Sequence, residues 1–215
     1  MERGVEPQML LAWLSARSVA RGLPAPVPDR GGFRVDTNST AEVARWVFAQ
    51  LGPGIEQLAH SINEPRFFLK LCGTPEQLRT TLPDRWQIEP PSYFMTVRGA
   101  QTAMGLAAGY RMELAQAGTV SEARIVTESG ALAASGYAAE TDQAFIYDRI
   151  LTEPGHRRKG LGSAIMTTLR QAKRHCTNPE LLVATRDGQS LYTALGWETI
   201  SEYSTASIIR LISTA

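Results

Sequence analysis

The sequence predicts an α/β protein of the α+β type, in which helices flank a mixed, mostly antiparallel sheet. Three observations support this prediction. After residue 109, four apolar strand-like runs follow one another with turn residues between them, which is typical of an antiparallel meander. The last run leads through a basic, glycine-rich loop into a segment with helical periodicity. Before Pro90, shorter strand-like and helix-like runs alternate, which indicates a small α/β unit.

Length and composition indicate a globular protein. The chain has 215 residues, of which 43% are hydrophobic, so it can form one large domain or two small ones around a buried core. Its formal net charge of +1 argues against a general nucleic-acid binder, because such proteins need a broad basic surface. The apolar run Met9–Leu14 is flanked by charged residues and suits neither a signal peptide nor a membrane span. We therefore expect a cytoplasmic protein without a membrane partner.

Cysteine and histidine usage predicts neither a disulfide framework nor a metal site. Cys72 and Cys176 lie far apart in the chain, and neither belongs to a CxxC motif or a Cys/His cluster. The histidines His60, His156 and His175 occur singly. We expect two reduced thiols and no bound metal ion.

The N-terminal region, residues 1–90, is predicted to be a separate small α/β unit. Leu10 and Leu14 recur at helical spacing in a helix over 7–21, which a proline-rich linker ends. Two consecutive prolines, Pro90 and Pro91, break pairing on both sides and mark the boundary to residues 91–215. The further elements predicted in this region are strands over 33–36, 67–72 and 86–88 and helices over 40–50, 55–62 and 75–82.

The C-terminal region contains the meander and the elements that follow it. The four predicted meander strands span 110–117, 120–127, 131–140 and 144–151. Beyond the glycine-rich loop we predict a helix over 164–173, a strand over 181–185, a helix over 187–195, and two final strands over 198–203 and 206–212. The final strands are expected at the sheet edge, where they could pair between two chains and form a homodimer.

The loop between the last meander strand and the following helix has the properties of an anion site. The first amides of a helix lack intrahelical partners, and the helix dipole places partial positive charge at them. Two common phosphate motifs do not fit. A Walker A loop requires Lys and Ser or Thr directly after its last glycine, but Gly160 is followed by Leu161. A dinucleotide fingerprint that begins at Gly160 would need its third glycine where Ile165 stands.

The pattern Arg157-x-x-Gly160-x-Gly162 resembles the pyrophosphate-binding motif of the GNAT superfamily of N-acetyltransferases. Pro154 precedes Arg157 by three residues, as in the family's usual lead-in to the motif. The later run 190–197, Ser-Leu-Tyr-Thr-Ala-Leu-Gly-Trp, is similar to the family's "x-Leu-Tyr-x-x-x-Gly-Phe" helix ending. The resemblance covers about residues 110–212 and implies a GNAT-like fold.

The resemblance also implies a binding mode for acetyl-CoA as the cosubstrate. The pyrophosphate would lie on the loop and the start of the helix, while the pantetheine arm adds alongside the preceding strand. Thr185 stands where the family often has Asn, and it would hydrogen-bond the cofactor less extensively. The loop residues are Arg157, Arg158, Lys159, Gly160, Leu161, Gly162 and Ser163, and the strand residues are Ile150, Leu151 and Thr152.

Two residues are candidates for catalysis. Family members often use a tyrosine at the position of Tyr192 as the general acid for the departing thiolate, and an unperturbed phenol is protonated near neutral pH. Strand alternation places Asp148 on the same face as Ile150, which makes it the leading candidate base; an ion pair with an arginine is the alternative interpretation. Glu140 and Glu153 are weaker candidates.

We thus expect an enzyme that acetylates the amine of a small molecule by direct attack in a ternary complex. The alternatives are a non-catalytic module that binds acyl-CoA and a transferase for a longer acyl-CoA. The chain has no room for the helices that usually follow the first strand of the family and shape the acceptor pocket. We expect the N-terminal unit, as a remnant of a second acetyltransferase-like half, to supply that wall through Trp46, Phe48, Phe67, Phe68 and Trp86.

Overall fold

The computed structural model describes residues 4–98 and 105–208. The helices in these parts of the chain are α1 (Pro7–Arg21), α2 (Pro53–Ser61), α3 (Pro75–Arg79), α4 (Leu161–Arg170) and α5 (Arg186–Ala194). The strands are β1 (Val27–Asp29), β2 (Gly32–Asp36), β3 (Ala44–Phe48), β4 (Phe67–Cys72), β5 (Trp86–Ile88), β6 (Ser92–Val97), β7 (Tyr110–Ala117), β8 (Val120–Thr127), β9 (Leu132–Glu140), β10 (Phe145–Thr152), β11 (Glu180–Thr185) and β12 (Trp197–Ile208).

All of these strands belong to one sheet. Their order is β1-β2-β3-β4-β12-β6-β11-β10-β9-β8-β7, and β5 also pairs with β12. Within the described residues, only the β3–β4 and β10–β11 pairs are parallel. The predicted fold class, a mixed and mostly antiparallel sheet flanked by helices, is confirmed.

The sheet is continuous across the predicted boundary at Pro90. Strands β5 and β6, which lie on either side of that proline, pair in succession with the long strand β12: Ile88 faces Ala206, and Ser92 faces Tyr203. The order of elements β2-β3-α2-β4-α3-β5 before the boundary matches β9-β10-α4-β11-α5-β12 after it. In each series the helix between the second and third strands connects a parallel pair. The two regions therefore share a topology and one sheet.

The two parallel pairs differ in one respect that matters for function. Strands β3 and β4 stay paired over five residues, from Ala44 to Phe48. Strands β10 and β11 pair only at Phe145 and Ile146. Beyond Ile146, β10 has no partner on the β11 side, so a cleft opens between these two strands. The cleft lies beside the start of α4, which is where a ligand at the loop would reach it.

Several sequence predictions are wrong. The helix predicted over 40–50 is the strand β3, whose five residues are all buried in the sheet between β2 and β4. A short apolar run does not distinguish a buried strand from a buried helix by periodicity. Strand β6 is absent from the predicted elements, because Pro90 and Pro91 predict a boundary that breaks strand pairing, whereas β6 begins directly after them at Ser92. The two predicted final strands form the single strand β12, and residues 209–212 of the second lie outside the described residues.

The final strand also does not lie at the sheet edge. β12 lies between β4 and β6 in the sheet order, so it is an interior strand and not the edge strand that was expected to pair with a second chain. Helix α1 packs on β9 and β10 through a cluster that includes Leu10, Trp13 and Leu14, and α4 packs on the other side of β10 through Ile165 and Leu169.

None of the helices in the described residues has the length and apolar character needed to cross a lipid bilayer.

Candidate active site

The loop before α4 leaves the first helical amides open to a ligand. A short 3-10 turn, Pro154–His156, starts the loop, and Arg158 and Gly160 follow with positive φ angles of 63° and 74°. Gly160 is the N-cap of α4, and no side chain caps the helix. The amides of Leu161, Gly162 and Ser163 therefore have neither an intrahelical partner nor a side-chain cap. This is the arrangement that binds phosphate groups at helix N-termini.

The basic side chains of the loop are exposed, and two of them contact neighbouring groups. The Arg157 guanidinium donates a hydrogen bond to the carbonyl oxygen of Thr152 at 3.4 Å. The Lys159 ammonium donates to the Tyr110 hydroxyl at 3.0 Å, and that hydroxyl shares a hydrogen bond of 2.8 Å with Nδ1 of His156. Tyr110 on β7 thus holds the loop from one side. His156 is engaged in this contact through Nδ1.

A β-bulge changes the side-chain alternation along β10. The register with β9 shifts between Asp148 and Leu151, and Arg149 has a φ angle of 53°. Ile146 packs in the α1 cluster, whereas Ile150 packs in the α4 cluster on the opposite side of the sheet. The prediction that Asp148 and Ile150 share one face is wrong for this reason. Leu151, where the register resumes, is 51% exposed and does not line the cavity described next.

The cleft continues into a cavity of about 340 Å³ between the separated strands. It brings together four of the predicted site residues, and the other lining residues come from α1, β4, β6, β10, β11, α5, β12 and the segment before β6. The four are Asp148, Ile150, Thr185 and Tyr192. The Thr185 hydroxyl oxygen accepts a hydrogen bond from the Gly188 amide at 3.2 Å and caps α5, so its proton and one lone pair are left for a ligand.

Tyr192 lies in the cavity wall with 7% of its surface exposed. Its ring packs against Trp197 at a centroid distance of 6.0 Å. Burial raises the pKa of the Tyr192 phenol above its ordinary value of 10.0, so it is protonated at neutral pH. Within residues 4–98 and 105–208, no group forms a hydrogen bond with its hydroxyl. A protonated donor therefore faces the cavity.

Asp148 is held by three arginines. Arg21 donates two hydrogen bonds to it, at 2.6 and 2.8 Å, while Arg149 lies at 3.2 Å and Arg17 at 3.9 Å. Burial raises the pKa of the Asp148 carboxyl, but the hydrogen bonds from Arg21 and the charges of Arg17, Arg21 and Arg149 outweigh it, so the net pKa is below the ordinary value. A carboxylate with these partners is a poor proton acceptor. The geometry thus argues against Asp148 as the base and agrees with the alternative, an ion pair.

The two weaker carboxylate candidates do not line the cavity. Glu140 is buried and accepts the backbone N–H groups of Arg174 and His175 at 2.8 and 2.9 Å, beyond the C-terminal end of α4. Glu153 lies at the start of the loop, and its amide donates to the Ala133 carbonyl oxygen. In the described residues, no group of three or more His, Cys, Asp or Glu side chains lies close enough together to bind a metal ion.

The wall opposite α5 is built from residues that the sequence analysis did not select. The aromatic residues predicted for this role include Trp46, Phe48 and Trp86, which lie in the core of the N-terminal region and not in the cavity. The N-terminal region lines the cavity instead through α1, β4 and the residue before Pro90. Its lining residues are Trp13, Arg17, Arg21, Lys70 and Glu89. The sequence feature that could have indicated this wall is the pair Arg17 and Arg21, which are four residues apart and are the only charged residues of α1.

The Arg149 guanidinium connects α1 to the bulge. It donates a hydrogen bond of 2.7 Å to the carbonyl oxygen of Ala20 and lies 3.9 Å from the ring centroid of Tyr137. Together with the pair between Arg21 and Asp148, this contact fixes the C-terminal end of α1 to β10. Helix α1 therefore occupies a defined position over the cavity.

Comparison with known proteins agrees with this geometry. Residues 119–199 match a family model described as an acetyltransferase (GNAT) domain. A GCN5-related N-acetyltransferase from Kribbella flavida is similar, with a TM-score of 0.65 and 13% identity over 95% of this chain and 96% of that chain. A GNAT-family protein from Novosphingobium aromaticivorans has a TM-score of 0.57 and 15% identity over 94% of this chain and 97% of that chain. A GCN5-related N-acetyltransferase from Sphaerobacter thermophilus has a TM-score of 0.58 and 11% identity over 96% of this chain and 95% of that chain.

No curated protein matches the chain. The three solved structures named above are less than 25% identical to the chain, so they support the fold alone. The family model covers the loop, α4, β11 and α5. The resemblance proposed from the motif residues is confirmed. Residues 119–199 of the chain match an acetyltransferase domain of the GNAT superfamily, and the general chemistry of that superfamily is acyl transfer.

Proposed function

We propose that the protein is an N-acetyltransferase that passes the acetyl group of acetyl-CoA to the amine of a small molecule by direct attack in a ternary complex. The observation that carries the proposal is the separation of β10 from β11 beside the uncapped start of α4, with the protonated Tyr192 in the same cleft. Two of the similar structures are GCN5-related N-acetyltransferases, which favours an amine acceptor.

The donor would bind along the loop and the open strand. Free amides at the start of α4, with the exposed Arg157 and Arg158, suit the pyrophosphate. The unpaired edge of β10 from Ile150 to Thr152 offers backbone donors and acceptors to the amide groups of the pantetheine arm. The acetyl group would then lie at the end of the cleft, near Tyr192.

The chemistry follows from the protonation states in the cavity. The free amine attacks the thioester carbonyl carbon, a C–N bond forms, the C–S bond breaks, and the thiolate accepts the proton of Tyr192. The nitrogen loses one proton as it becomes the amide nitrogen, and this proton restores the Tyr192 phenol. The ammonium form of the acceptor must first lose a proton. Asp148 is neutralised by arginines, whereas Glu89 lines the cavity, is exposed, and has no ion-pair partner in the described residues. We assign the removal of this proton to Glu89, directly or through water.

Thiol release in the presence of acetyl-CoA and a panel of amines tests the proposal. Tyr192→Phe should lower kcat by about 10²- to 10⁴-fold. Arg157→Ala combined with Arg158→Ala should weaken coenzyme A binding about tenfold, because exposed charge pairs contribute modestly. Arg111→Ala, at a side chain that is 67% exposed on β7, is the matched control and should change neither.

Two outcomes contradict the proposal. Tight acetyl-CoA binding without thiol release for any amine would favour the non-catalytic module, and a preference for longer acyl-CoA would replace the donor. Unaltered coenzyme A affinity in the double variant would remove the phosphate assignment of the loop.

We further propose that residues 1–90 are a degenerate acetyltransferase-like half. The matching order of elements supports this, and so does the loss of a cleft, because β3 and β4 do not separate. The start of α2 is also covered. A Cβ atom on Gly54 would lie 1.7 Å from the carbonyl oxygen of Arg30, so the β1–β2 turn fills the place where a ligand would approach.

A further inference from the structure

The cavity has more positive than negative charge. Four basic side chains line it, from Arg17, Arg21, Lys70 and Arg149, against two acidic ones, from Asp148 and Glu89. An amine acceptor approaches as a cation or a neutral molecule, and these positive charges do not help to bind it. The charge must therefore serve another part of the acceptor or another ligand.

Two of the basic residues already have strong partners. Arg21 makes the two short hydrogen bonds to Asp148, and Arg149 adds a contact of 3.2 Å to the same carboxylate. Nearby, Arg45 forms a two-bond ion pair with Glu42. Asp148 thus pairs with Arg21 at the end of α1 and with Arg149 on β10, while Glu42 pairs with Arg45 on β3.

Arg17 and Lys70 lack such partners. Arg17 lies 3.9 Å from Asp148, beyond hydrogen-bonding distance, and its guanidinium is 5.5 Å from the ring centroid of Trp13. The Lys70 ammonium donates a hydrogen bond of 3.0 Å to the Thr205 hydroxyl, and in the described residues no carboxylate lies within 4 Å of it. Both side chains are largely buried, although they come from elements more than fifty residues apart.

The two cations also repel each other. Burial lowers the pKa of Lys70 from 10.5 to about 8, with further contributions from Arg45 and Arg17. Burial likewise lowers the pKa of Arg17 from 12.5 to about 10, with contributions from Arg45 and Arg21. An anion between Arg17 and Lys70 would relieve this repulsion. The buried hydroxyl-bearing ring of Tyr203 lines the same part of the cavity and adds a donor.

We propose that the acceptor is an amine that also carries a carboxylate, and that Arg17 and Lys70 bind this carboxylate. The inference rests on the proposed acetyltransferase function and names the substrate class of the same site. Guanidinium and ammonium groups form charge-assisted hydrogen bonds with carboxylates. The cavity of about 340 Å³ is at the small end of ligand sites, which suits an amino acid or an amino dicarboxylic acid. Polyamines and aminoglycosides carry several positive charges and would be repelled.

Matched pairs of acceptors and variants test this inference. Each pair consists of an ω-amino acid and its uncharged amide, compared by kcat/KM after correction for the fraction of free amine. For the wild-type protein we expect the acid to exceed the amide at least tenfold. Arg17→Met and Lys70→Met should each raise KM for the acid by about ten- to a hundredfold, since hydrogen bonds to charged groups are among the strong ones. The amide should change by less than about threefold. Arg111→Met is the control for loss of a positive charge at an exposed site.

Three results would overturn the inference while acetyl transfer persists: equal use of acid and amide, preference for a polyamine, or unchanged KM for the acid in both variants. An aminoalkylphosphonate of equal chain length separates the two anion classes, and its preference over the carboxylate would overturn the choice of carboxylate.

If no amine gives thiol release, the proposed function is contradicted, and the carboxylate site is tested separately. Calorimetry then measures whether the amino acid binds to the coenzyme A-loaded protein. Binding to wild type that is lost in the Arg17→Met, Lys70→Met double variant supports the carboxylate site, and no binding to wild type overturns it.

Discussion

Replacing Lys70 with methionine should make the folded protein more stable at neutral pH. Methionine has a similar length and carries no charge, so it fills the same space on β4 and avoids the desolvation of an ammonium group. Burial, followed by the charges of Arg45 and Arg17, lowers the pKa of Lys70 from 10.5 to about 8 in the folded protein. The charged form is thus disfavoured by folding.

The two pKa values give the magnitude and the sign. A difference from 10.5 to about 8 corresponds to about 3 kcal/mol, which is an upper limit because part of the side chain still contacts solvent. Between these two pH values the unfolded chain binds more protons than the folded one, so the free energy of unfolding rises with pH. Below pH 8 the full penalty applies to the wild-type protein, and the Lys70→Met variant lacks it.

Urea denaturation of both proteins between pH 7 and pH 11 measures the difference. We expect the variant to be more stable by up to about 3 kcal/mol at pH 7, and the difference to fall toward zero as the pH passes 10.5. Other groups titrate in this range. Burial raises the pKa of Cys72 from 9.0 to about 12, which lowers the stability of the folded protein at high pH. Because Cys72 is present in both proteins, its effect cancels in the difference.

A matched control is Arg111→Met, whose exposed site should change the stability by less than about 0.5 kcal/mol. Two results would refute the reasoning. If Lys70→Met is less stable at pH 7, the hydrogen bond to Thr205 outweighs the desolvation. If the difference does not depend on pH between 8 and 10.5, the pKa of Lys70 is not lowered in the folded protein.

Two further substitutions test the architecture of the site. Asp148→Asn should lower the free energy of unfolding by about 2–3 kcal/mol at pH 7, because Arg21 loses its two-bond partner. Because folding lowers the pKa of Asp148, the ion pair stabilises the wild-type protein above the unfolded pKa of 3.8, and this stabilisation is lost as the pH falls through the folded pKa. The free energies of unfolding of the two proteins should therefore converge in acid. Curves that stay apart there would contradict the ion pair. Gly136→Ala places a Cβ atom 2.4 Å from Cδ1 of Ile150 and should lower the stability by about 1–3 kcal/mol, whereas Gly155→Ala, with open space around it, should be neutral in the same denaturation assay.

Local patterns in the sequence predicted much of the C-terminal region. The first two meander strands have the bounds that the sequence predicted, Tyr110–Ala117 and Val120–Thr127. Their turn residues and alternation act over a few neighbouring residues, so no distant contact is needed to recognise them. Strand β3 shows the limit of this approach. Its run of buried residues is compatible with a helix, and only pairing with β2 and β4 decides the outcome.

The candidate site divides in the same way. The loop from Arg157 to Ser163 was predicted from residue type and spacing, because a helix N-terminus and its glycines form one continuous segment, and Tyr192 was predicted from the resemblance to the family. The role of Asp148 could not be predicted from local residue type and spacing, since its arginine partners Arg17 and Arg21 lie more than 120 residues away in the sequence. A carboxylate in an apolar strand suggests a function, but only its partners determine its pKa.

The sequence by itself determined that this chain carries a strand, a glycine-rich loop and a helix suited to the phosphates of a coenzyme. That chemistry depends on backbone amides within a few residues of one another. Only the tertiary structure decided which residues lie on the opposite wall of the cleft. It brings α1, β4 and β12 together over the cleft, with Arg17, Lys70 and Tyr203 on one wall. Burial and long-range pairing set their charge balance, and neither quantity is a property of any one segment of the chain.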